Sequence, residues 1–408
     1  MADNAELVIA GAGLTGMLLA VACAGVGLSV AVVDPQDPRA MLDRGFDGRT
    51  SAIAYGSKRV LDGIAVWPAL AGEAEPILAI RVADDNSPLF LHYDHRELAA
   101  RGEPPPALGY IVENRLLRRA LLERADALPS LHLHAGRRLA AVEADAGAAV
   151  AVLDNGERLR CRLVAAADGK ESPLRRAAQI RTIEWRYPQI SIVTTVAHAR
   201  PHAGIAVEHF LPAGPFAILP MTGNRSSIVW SEQEDLAAAI LALPDADFTA
   251  ELAARFGDFL GPLMPLGPRW SYPLALLQAE RYAAPRLALV GEAAHVIHPI
   301  AGQGLNVGIR DIAALAELVA DQRRRGGDIG DDGLLLRYQR WRRPDALLLA
   351  AVTDGLNRLF SNSIVPLAVA RDAGLALVNR LPPMKRLLMR HAMGVLGELP
   401  RLAKGEKL

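Results

Sequence analysis

The chain has 408 residues, of which 51% are hydrophobic and 22% are charged, a balance typical of globular proteins that excludes intrinsic disorder. Basic and acidic residues number 45 each, so no net charge draws the chain to nucleic acid and no such partner is expected. Two cysteines, Cys23 and Cys161, are too few for a disulfide framework or a cysteine-based zinc site, and they favour a reducing compartment.

The N-terminal segment has no charged residue from Leu7 to Val33, which is long enough to imitate a transmembrane helix. Glycines divide this run, and acidic residues rather than the basic ones of a signal peptide precede it. It separates into an apolar strand at 7–10, a helix at 14–25 and a β-branched strand at 28–33. Because buried parallel strands are apolar on both faces, we predict strand, turn, helix and strand rather than a membrane span.

Residues 11–16, Gly-Ala-Gly-Leu-Thr-Gly, match G-x-G-x-x-G between the first strand and the helix, and we call them the glycine loop. Gly11 permits the tight turn, Gly13 lets a pyrophosphate approach the backbone, and Gly16 lets helix and strand pack closely. The phosphates would lie on unpaired N–H groups at the positive end of the helix. Asp34 follows the second strand, where it can accept hydrogen bonds from a ribose. The loop predicts a bound dinucleotide and leaves FAD and NAD both open.

Two further clusters follow predicted strands. Residues 162–169 form an apolar strand that ends in Asp168-Gly169, although the same pattern by itself also suits an ordinary turn. A later apolar strand ends in Gly291-Glu292 and leads through a loop at 298–306, the Pro/Gly loop, into an apolar helix from about 305 to 320. A second helix N-terminus is thereby available to an anionic partner.

In this order and at these separations, the three clusters resemble the FAD-dependent aromatic hydroxylases of the p-hydroxybenzoate hydroxylase fold, and more narrowly the hydroxylases of ubiquinone biosynthesis. The similarity covers nearly the whole chain. Besides the clusters it rests on residues 47–57, 108–114, 214–220, 298–306 and 353–362. The resemblance implies an α/β fold in which a Rossmann-like FAD-binding domain is interleaved with an antiparallel-sheet substrate domain and followed by C-terminal helices.

The domain boundaries expected from the resemblance are as follows. Residues 1–74, 107–180 and 285–330 belong to the FAD-binding domain, 75–106 and 181–284 to the substrate domain, and 331–408 to a C-terminal helical region. Strand-like runs at 190–196 and 226–230 favour the antiparallel sheet. This sheet would cover the flavin, with the substrate pocket at the domain interface.

The resemblance also implies a role for each candidate site residue. The ADP half of FAD would be held by Gly11, Gly13, Gly16 and Asp34, and along the cofactor would lie Arg49 and Asn114. The dinucleotide and a passing NAD(P)H would be served by Asp168 and Gly169, and the ribityl chain would be faced by Gly291 and Glu292. The isoalloxazine would be lined by Pro299, Gly302, Gln303, Gly304, Leu305 and Asn306. The candidate catalytic residues are Arg49, Pro299, Gly302 and Gln303. Backbone N–H groups near Leu305 and Asn306 would stabilise the negative charge of reduced flavin.

One position departs from the family pattern, which usually has Gly-Asp where this chain has Gly291-Glu292. The acid is expected to accept hydrogen bonds from the ribityl hydroxyls. The extra methylene of glutamate moves the carboxylate by about the length of one C–C bond. A small backbone adjustment could absorb this shift, so FAD binding is still expected, and the effect on its affinity is left open.

The activity implied by the resemblance is hydroxylation of the aromatic ring of a prenylated phenol on the way to ubiquinone, through a flavin C4a-hydroperoxide formed with O2. Electrons would come from NAD(P)H or from a partner reductase. A hydrogen-bond acceptor near the phenol would raise the electron density of the ring, but no residue of the sequence identifies it. The alternative is a non-catalytic or weakly flavinylated scaffold subunit of a ubiquinone-synthesis complex. The intact glycine loop and Pro/Gly loop favour the enzyme.

The C-terminal third has a helical pattern from about 334 to 397, and its segment 384–391 is basic and amphipathic. A packed surface helix is the first interpretation of that segment. A contact with the inner membrane is the second, because a prenylated phenol resides in the bilayer. We therefore expect a cytoplasmic protein and leave open a peripheral membrane contact and an association with other ubiquinone-biosynthesis proteins.

Other kinds of site find little support. The histidine pairs are His92/His95, His132/His134 and His295/His298, and none has a third ligand at a convincing spacing, so no metal is expected. The chain has no G-x-x-x-x-G-K-[ST] phosphate loop. It also lacks the Trp-x-Trp-x-Ile-Pro string carried by the flavin halogenases that share this fold.

Overall fold

The structure, a computed structural model, describes residues 5–42, 48–84, 87, 90–99, 104–145, 147–361 and 365–408. Asp47 and Asn362, which begin and end two of the similar segments, lie outside these residues. The strands are β1 (Leu7–Ala10), β2 (Val30–Asp34), β3 (Thr50–Ala54), β4 (Glu75–Ile77), β5 (Ala79–Asp84), β6 (Phe90–Asp94), β7 (Gly109–Glu113), β8 (Leu131–Ala135), β9 (Leu139–Ala144), β10 (Ala149–Leu153), β11 (Arg158–Cys161), β12 (Leu163–Ala166), β13 (Thr182–His198), β14 (Ile205–Leu211), β15 (Gly214–Met221), β16 (Arg225–Gln233), β17 (Leu263–Ala279), β18 (Ala283–Ala284), β19 (Leu287–Leu289) and β20 (His295–Val296). The helices are α1 (Leu14–Gly25), α2 (Tyr55–Gly63), α3 (Asn114–Asp126), α4 (Pro173–Ala177), α5 (Glu234–Leu241), α6 (Asp245–Phe256), α7 (Gly304–Arg324), α8 (Asp332–Phe360), α9 (Val365–Arg380), α10 (Pro382–Ala392) and α11 (Arg401–Lys404).

The first sheet has the order β18-β19-β12-β1-β2-β8 and is parallel except at its short edge strand β18. Every residue of β1 and β12 is buried, because α1, flanked by α3 and α7, packs on the sheet, while β11 contacts β1 and β10 contacts β12. The prediction of strand, turn, helix and strand for the N-terminal run is thus confirmed. None of the helices in the described residues combines the length and apolarity needed to cross a bilayer.

A second sheet has the order β20-β17-β13-β16-β15-β14-β5-β6. Its neighbouring strands are antiparallel, as predicted, except that β5 runs parallel to β14. This exception arises because β5 and β6 enter the sheet from a much earlier part of the chain, and a long connection permits parallel pairing. Two three-stranded sheets, β3-β7-β4 and β11-β10-β9, complete the strands.

The C-terminal helices cover one face of the second sheet. Helix α9 packs against β5 and β6, α8 packs against β15, and α10 packs against α9. The helical pattern predicted for this part of the chain is confirmed, as is the α/β architecture. The fold therefore encloses a space between the second sheet, the C-terminal helices and the start of α7.

Candidate active site

The glycine loop lies at the carboxyl edge of the parallel sheet, between β1 and α1. Gly11 has φ +103°, and a Cβ there would collide with the carbonyl oxygen of Ala167 at the end of the neighbouring strand. A Cβ at Gly16 would collide with the Gly11 carbonyl, whereas a Cβ at Gly13 would meet no atom within 4 Å. Packing therefore requires glycine at the first and third positions, and the second leaves open space at the head of α1.

Asp34 lies against this loop. Its Oδ2 accepts a hydrogen bond from the backbone N–H of Ala12 at 2.6 Å, and its Oδ1 accepts one from Gln36 N–H at 2.8 Å. Each carboxylate oxygen has a further lone pair. The acid thus stabilises the loop and can still accept hydrogen bonds from a nucleotide ribose.

Asp168 stands beside Gly11, since β12 is the neighbour of β1 in the sheet. Its Oδ2 accepts a hydrogen bond from the N–H of Leu174 at 3.3 Å, but its buried Oδ1 has no partner among the described residues. Burial raises the pKa of Asp168 above its ordinary value. Gly169 next to it has φ +84° and open space where a Cβ would stand. A buried acceptor without a donor suits a ligand hydroxyl at this edge.

Gly291 brings the third cluster to the first. It has φ +60°, and a Cβ there would lie 2.8 Å from Cγ2 of Thr15 in the first turn of α1. The glycine at this turn is therefore required by the close approach of α1. Glu292 follows it, with an exposed side chain that faces the cavity described below.

A buried polar network supports the turn at Gly291 from behind. Asp311 on α7 accepts hydrogen bonds from Arg342 Nε at 2.9 Å and from the N–H of Gly291 at 3.3 Å, and it pairs with His295 Nε2 at 2.5 Å. Burial alone would raise the pKa of Asp311, but His295 and Arg342 hold it below its ordinary value. His295 is thus hydrogen-bonded to a carboxylate. His298 is also buried, and neither of its ring nitrogens has a hydrogen-bond partner among the described residues.

Asn306 fastens the Pro/Gly loop to strand β3. Its Oδ1 accepts a hydrogen bond from Ala54 N–H at 2.8 Å, and its Nδ2 donates to the carbonyls of Ala52 at 2.8 Å and Gly302 at 3.1 Å. The side chain of Asn306 is therefore occupied by backbone groups and acts as a brace. The backbone of the loop remains available to a ligand.

The loop residues predicted to meet the isoalloxazine share one cavity. Among the residues lining it are Glu292, Pro299, Gly302, Gln303, Gly304, Leu305 and Asn306. Helix α7 begins at Gly304, so its first N–H groups lie at this wall. The structure thus brings together the residues predicted to line the isoalloxazine. The residues that line this cavity do not include Arg49 and Asn114.

Arg49 and Asn114 lie just outside that cavity and next to each other. The N–H of Asn114 donates to the Arg49 carbonyl at 3.0 Å, and its Oδ1 accepts from Ser51 Oγ at 2.7 Å. The guanidinium of Arg49 lies 5.2 Å from the ring centre of Trp270. Ser51 lines the cavity, so this pair borders it through one intervening side chain.

The cavity has a volume of about 1000 Å³ and mostly apolar walls. One wall is a face of the second sheet, the opposite one comes from α8, α9 and α10, and the Pro/Gly loop closes one end. A space of this size holds a drug-sized or larger apolar molecule. In the described part of the chain, no three His, Cys, Asp or Glu side chains are placed to hold a metal ion.

Comparison with known proteins decides the family. A family described as "FAD binding domain" matches residues 4–352. Over 407 residues the chain is 53% identical to ubiquinone hydroxylase UbiL of Rhodospirillum rubrum, covering 99% of this chain and 94% of that protein. The chain belongs to the ubiquinone-biosynthesis family of FAD-dependent hydroxylases. Another family member, the 3-demethoxyubiquinol 3-hydroxylase of Escherichia coli, is 33% identical over 392 residues, which cover 96% of this chain and 98% of that protein.

The solved structures agree on the fold of this FAD-dependent hydroxylase. The p-nitrophenol 4-monooxygenase PnpA of Pseudomonas putida matches with a TM-score of 0.81 and 18% identity, covering 98% of this chain and 100% of that chain. The predicted p-hydroxybenzoate hydroxylase fold is thus confirmed. The residues also fit FAD, since Gly13 leaves open space at the head of α1 and Asp168 offers a buried acceptor. The hydroxylase is a flavoprotein monooxygenase, and FAD is its cofactor.

Sequence reasoning missed Glu208, a buried acid on β14 that lines the cavity. In the structure burial alternates along this strand, and Glu208 occupies an inward position between Ala206 and Phe210; the sequence does not reveal this, because apolar residues stand on both faces of the strand. Inward positions of a half-buried strand are normally apolar. A charge at such a position therefore indicates a specific role.

Proposed function

We propose that the protein hydroxylates the aromatic ring of a prenylated phenol on the way to ubiquinone, using O2 and electrons from NAD(P)H. The observation that carries this proposal is the apolar cavity of about 1000 Å³, which extends from the Pro/Gly loop to the C-terminal helices. A phenol ring at the loop end and a prenyl chain along the apolar walls would fill such a space. The names of the relatives, which are ubiquinone hydroxylases, support the same substrate class.

The nucleotide end of the site would bind FAD mainly through the backbone. The N–H groups at the head of α1 would hold the pyrophosphate beside Gly13, and Asp34 would accept hydrogen bonds from the adenosine ribose. Asp168 would bind a hydroxyl through its free Oδ1 and help to admit NAD(P)H. Glu292 would reach the ribityl chain from the turn at Gly291, and Arg49 with Asn114 would flank the cofactor.

The reaction end of the site would orient the ring and exclude water. Bound FAD supplies the activation of O2, which no protein side chain provides. The first N–H groups of α7, near Leu305 and Asn306, would stabilise negative charge at the loop. Pro299, Gly302 and Gln303 would shape the surface on which the ring rests, and the apolar walls would keep water out.

The cavity also has an apolar rim that favours entry of substrate from a bilayer. Exposed apolar side chains lie on α8 (Leu348, Val352, Leu359), α9 (Leu377) and α10 (Leu387, Leu388), and we call this set the apolar rim. Val352, Leu359 and Leu388 of the rim also line the cavity. Exposed Arg386 and Arg390 on α10 add positive charge, which attracts anionic lipid. We propose that this rim rests on the membrane surface, so that a prenylated phenol enters without crossing water.

The activity is tested on protein purified with its flavin. Yellow protein that oxidises NAD(P)H faster when 2-geranylphenol is added, and that yields a product heavier by one oxygen atom, is expected. Colourless protein that associates with other ubiquinone-biosynthesis proteins would instead support the scaffold alternative. Yellow protein that forms no hydroxylated product with any electron donor would contradict the proposed activity.

The membrane contact is tested by sedimentation with vesicles containing anionic phospholipid. Leu387→Glu, in the rim, is expected to weaken vesicle binding by about tenfold, because a charge replaces a membrane-facing apolar side chain. The matched control is Leu236→Glu on α5, since Leu236 is also exposed but lies away from the rim. Equal binding by both variants and the unaltered protein would contradict the proposed contact.

A further inference from the structure

Glu208 lies in the middle of β14 and faces the cavity. Glu208 is only 9% exposed, and no group in the described part of the chain forms a hydrogen bond or ion pair with its carboxylate. Burying a charge without a partner costs free energy. A buried acid is therefore usually protonated, paired with another group or part of a functional site. Glu208 is therefore the acid of the cavity wall that packing does not explain, and the buried hydroxyls of Ser191 and Ser231 on the same wall also lack a hydrogen-bond partner among the described residues.

The residues in register with Glu208 on the other strands of the sheet give it no polar neighbour. From β13 across the sheet to β6, the row reads Val193, Val229, Ala217, Glu208, Val82 and Leu91. All the other members are apolar and all line the cavity. A substrate that covers this row would bring its own polar group to Glu208, because the row offers none.

Other charged and titratable side chains also lie on the cavity wall, and the two arginines among them are paired with acids. They are Tyr93, Tyr272, Glu292, Arg310, Arg371 and His391. Arg310 pairs with Asp345 at 3.0 Å and Arg371 with Asp84 at 2.8 Å. Burial alone raises the pKa of Glu208 to about 7, so near neutral pH its carboxylate can both exist and take up a proton.

The strand and the face that carry Glu208 also reach the loop where the chemistry is expected. Phe210, two residues further along β14 and on the same face, forms an apolar cluster with Ile300 and Phe360. Ile300 directly follows Pro299 in the Pro/Gly loop. One strand therefore places an aromatic ring against the loop and a carboxylate on the adjoining part of the wall.

We propose that Glu208 accepts the hydrogen bond of the substrate phenol and takes its proton as the ring is hydroxylated. The phenol O–H bond breaks, its proton goes to a carboxylate oxygen of Glu208, and the electron pair stays on the phenol oxygen. That pair raises the electron density of the ring, so that one ring carbon would form a bond to one oxygen atom of O2 and lose its hydrogen as a proton. The other oxygen atom would leave as water, with two electrons that NAD(P)H supplies and FAD transfers. The inference rests on the proposed function, because it requires a phenol in this cavity.

The test separates accepting a hydrogen bond from accepting a proton. The probes are 2-geranylphenol and its methyl ether, and binding to the flavin-loaded protein is followed by flavin fluorescence. The unaltered protein is expected to bind the phenol about tenfold more tightly than the ether, because only the phenol donates a hydrogen bond. Glu208→Leu should lose this preference. Glu208→Gln should keep most of it, since an amide carbonyl accepts hydrogen bonds.

The rate of hydroxylation supplies the second readout. Neither Glu208→Gln nor Glu208→Leu can take up the proton, so both are expected to lower kcat by about a hundredfold or more with the flavin content unchanged. The control is Glu232→Gln in the same sheet. Glu232 is a buried acid paired with Trp230 and Arg255 that does not line the cavity.

The outcomes divide the two proposals. A leucine variant that still prefers the phenol, or a glutamine variant with the unaltered kcat, would overturn the role of Glu208 alone. Unaltered flavin-loaded protein that binds the phenol and the ether equally would also overturn that role. If this protein binds neither probe and hydroxylates nothing, the proposed function itself fails.

Discussion

The candidate active site has one end proposed for the nucleotide and one proposed for the substrate, and the two are built in different ways. At the nucleotide end, the edge of a parallel sheet offers backbone groups and space, and its required residues are glycines such as Gly11 and Gly291. At the substrate end, the wall consists of side chains from strands and helices that are far apart in the chain. A pyrophosphate binds to the backbone N–H groups at the N-terminus of a helix. An apolar substrate instead needs a pocket of side chains that matches its shape.

Substitutions at the two ends should therefore have different effects. Changes at the nucleotide end should alter flavin affinity while the free protein remains folded, provided that the new residue suits the backbone. Changes at the substrate end should alter stability or substrate preference while the flavin remains bound. Four substitutions test this division.

Arg371→Leu should destabilise the substrate end strongly. Arg371 on α9 pairs with buried Asp84 on β5 at 2.8 Å and donates to the Leu359 carbonyl. Removing one member of a buried pair leaves an uncompensated charge, so the free energy of unfolding should fall by about 3–5 kcal/mol. Denaturant unfolding measures this loss, and flavin affinity should stay within about a factor of two if the ends are independent.

The control for that variant is an exposed pair of the same chemistry. Arg39 and Asp126 meet at 2.5 Å with about half or more of each side chain exposed. Arg39→Leu should cost less than about 1 kcal/mol, because water screens the pair. Similar losses in both variants would show that burial does not determine the contribution of these pairs.

Glu208→Gln should remove a pH-dependent cost from the substrate end. Burial raises the pKa of Glu208 from 4.5 to about 7, so the folded state holds this proton more tightly than the unfolded state. The unaltered protein should lose stability relative to Glu208→Gln as pH rises from 4.5 to about 7, by on the order of 3 kcal/mol in total. Urea unfolding at about pH 5 and about pH 8 measures the difference. A stability difference that does not change with pH would show that the carboxyl is not buried in this way.

Gly13→Ala should lower FAD affinity by at least about tenfold without destabilising the free protein. Gly13 has φ −65°, which alanine adopts readily, and its Cβ would occupy the space left open for the pyrophosphate. Titration of flavin-free protein with FAD measures the affinity. Gly25→Ala at the other end of α1 is the control and should leave it unchanged, since a Cβ there meets no atom within 4 Å. Equal affinities for both variants would place the pyrophosphate elsewhere.

Glu292→Asp should have the smallest effect, a change in FAD affinity of less than about tenfold. The side chain of Glu292 is exposed, so either acid can reposition toward a ribityl hydroxyl at little cost. Glu292→Gln, which keeps the length and removes the charge, is the companion variant. A complete loss of flavin on shortening this side chain would show that its length is critical.

Much of the fold could be predicted because its signals are local. The bounds of α1 and the strand before it follow from glycines and apolar runs within the first part of the chain, and the structure agrees with them. The parallel neighbour of β14 could not be predicted, because β5 joins it from a distant segment. Asn306 was expected to line the flavin, but whether its side chain bonds the cofactor or braces β3 depends on contacts across more than 250 residues.

Local sequence is enough to predict the glycine loop, the position of Asp34 and the start of α7, because each is set by residues a few positions apart and by backbone geometry. Tertiary contacts are needed to see that Glu208 stands in an apolar row, that Asp311 supports the turn at Gly291, and that the exposed side chains of Val352, Leu359 and Leu388 line the cavity. Those features depend on which faces of distant strands and helices meet, and local spacing carries no information about that.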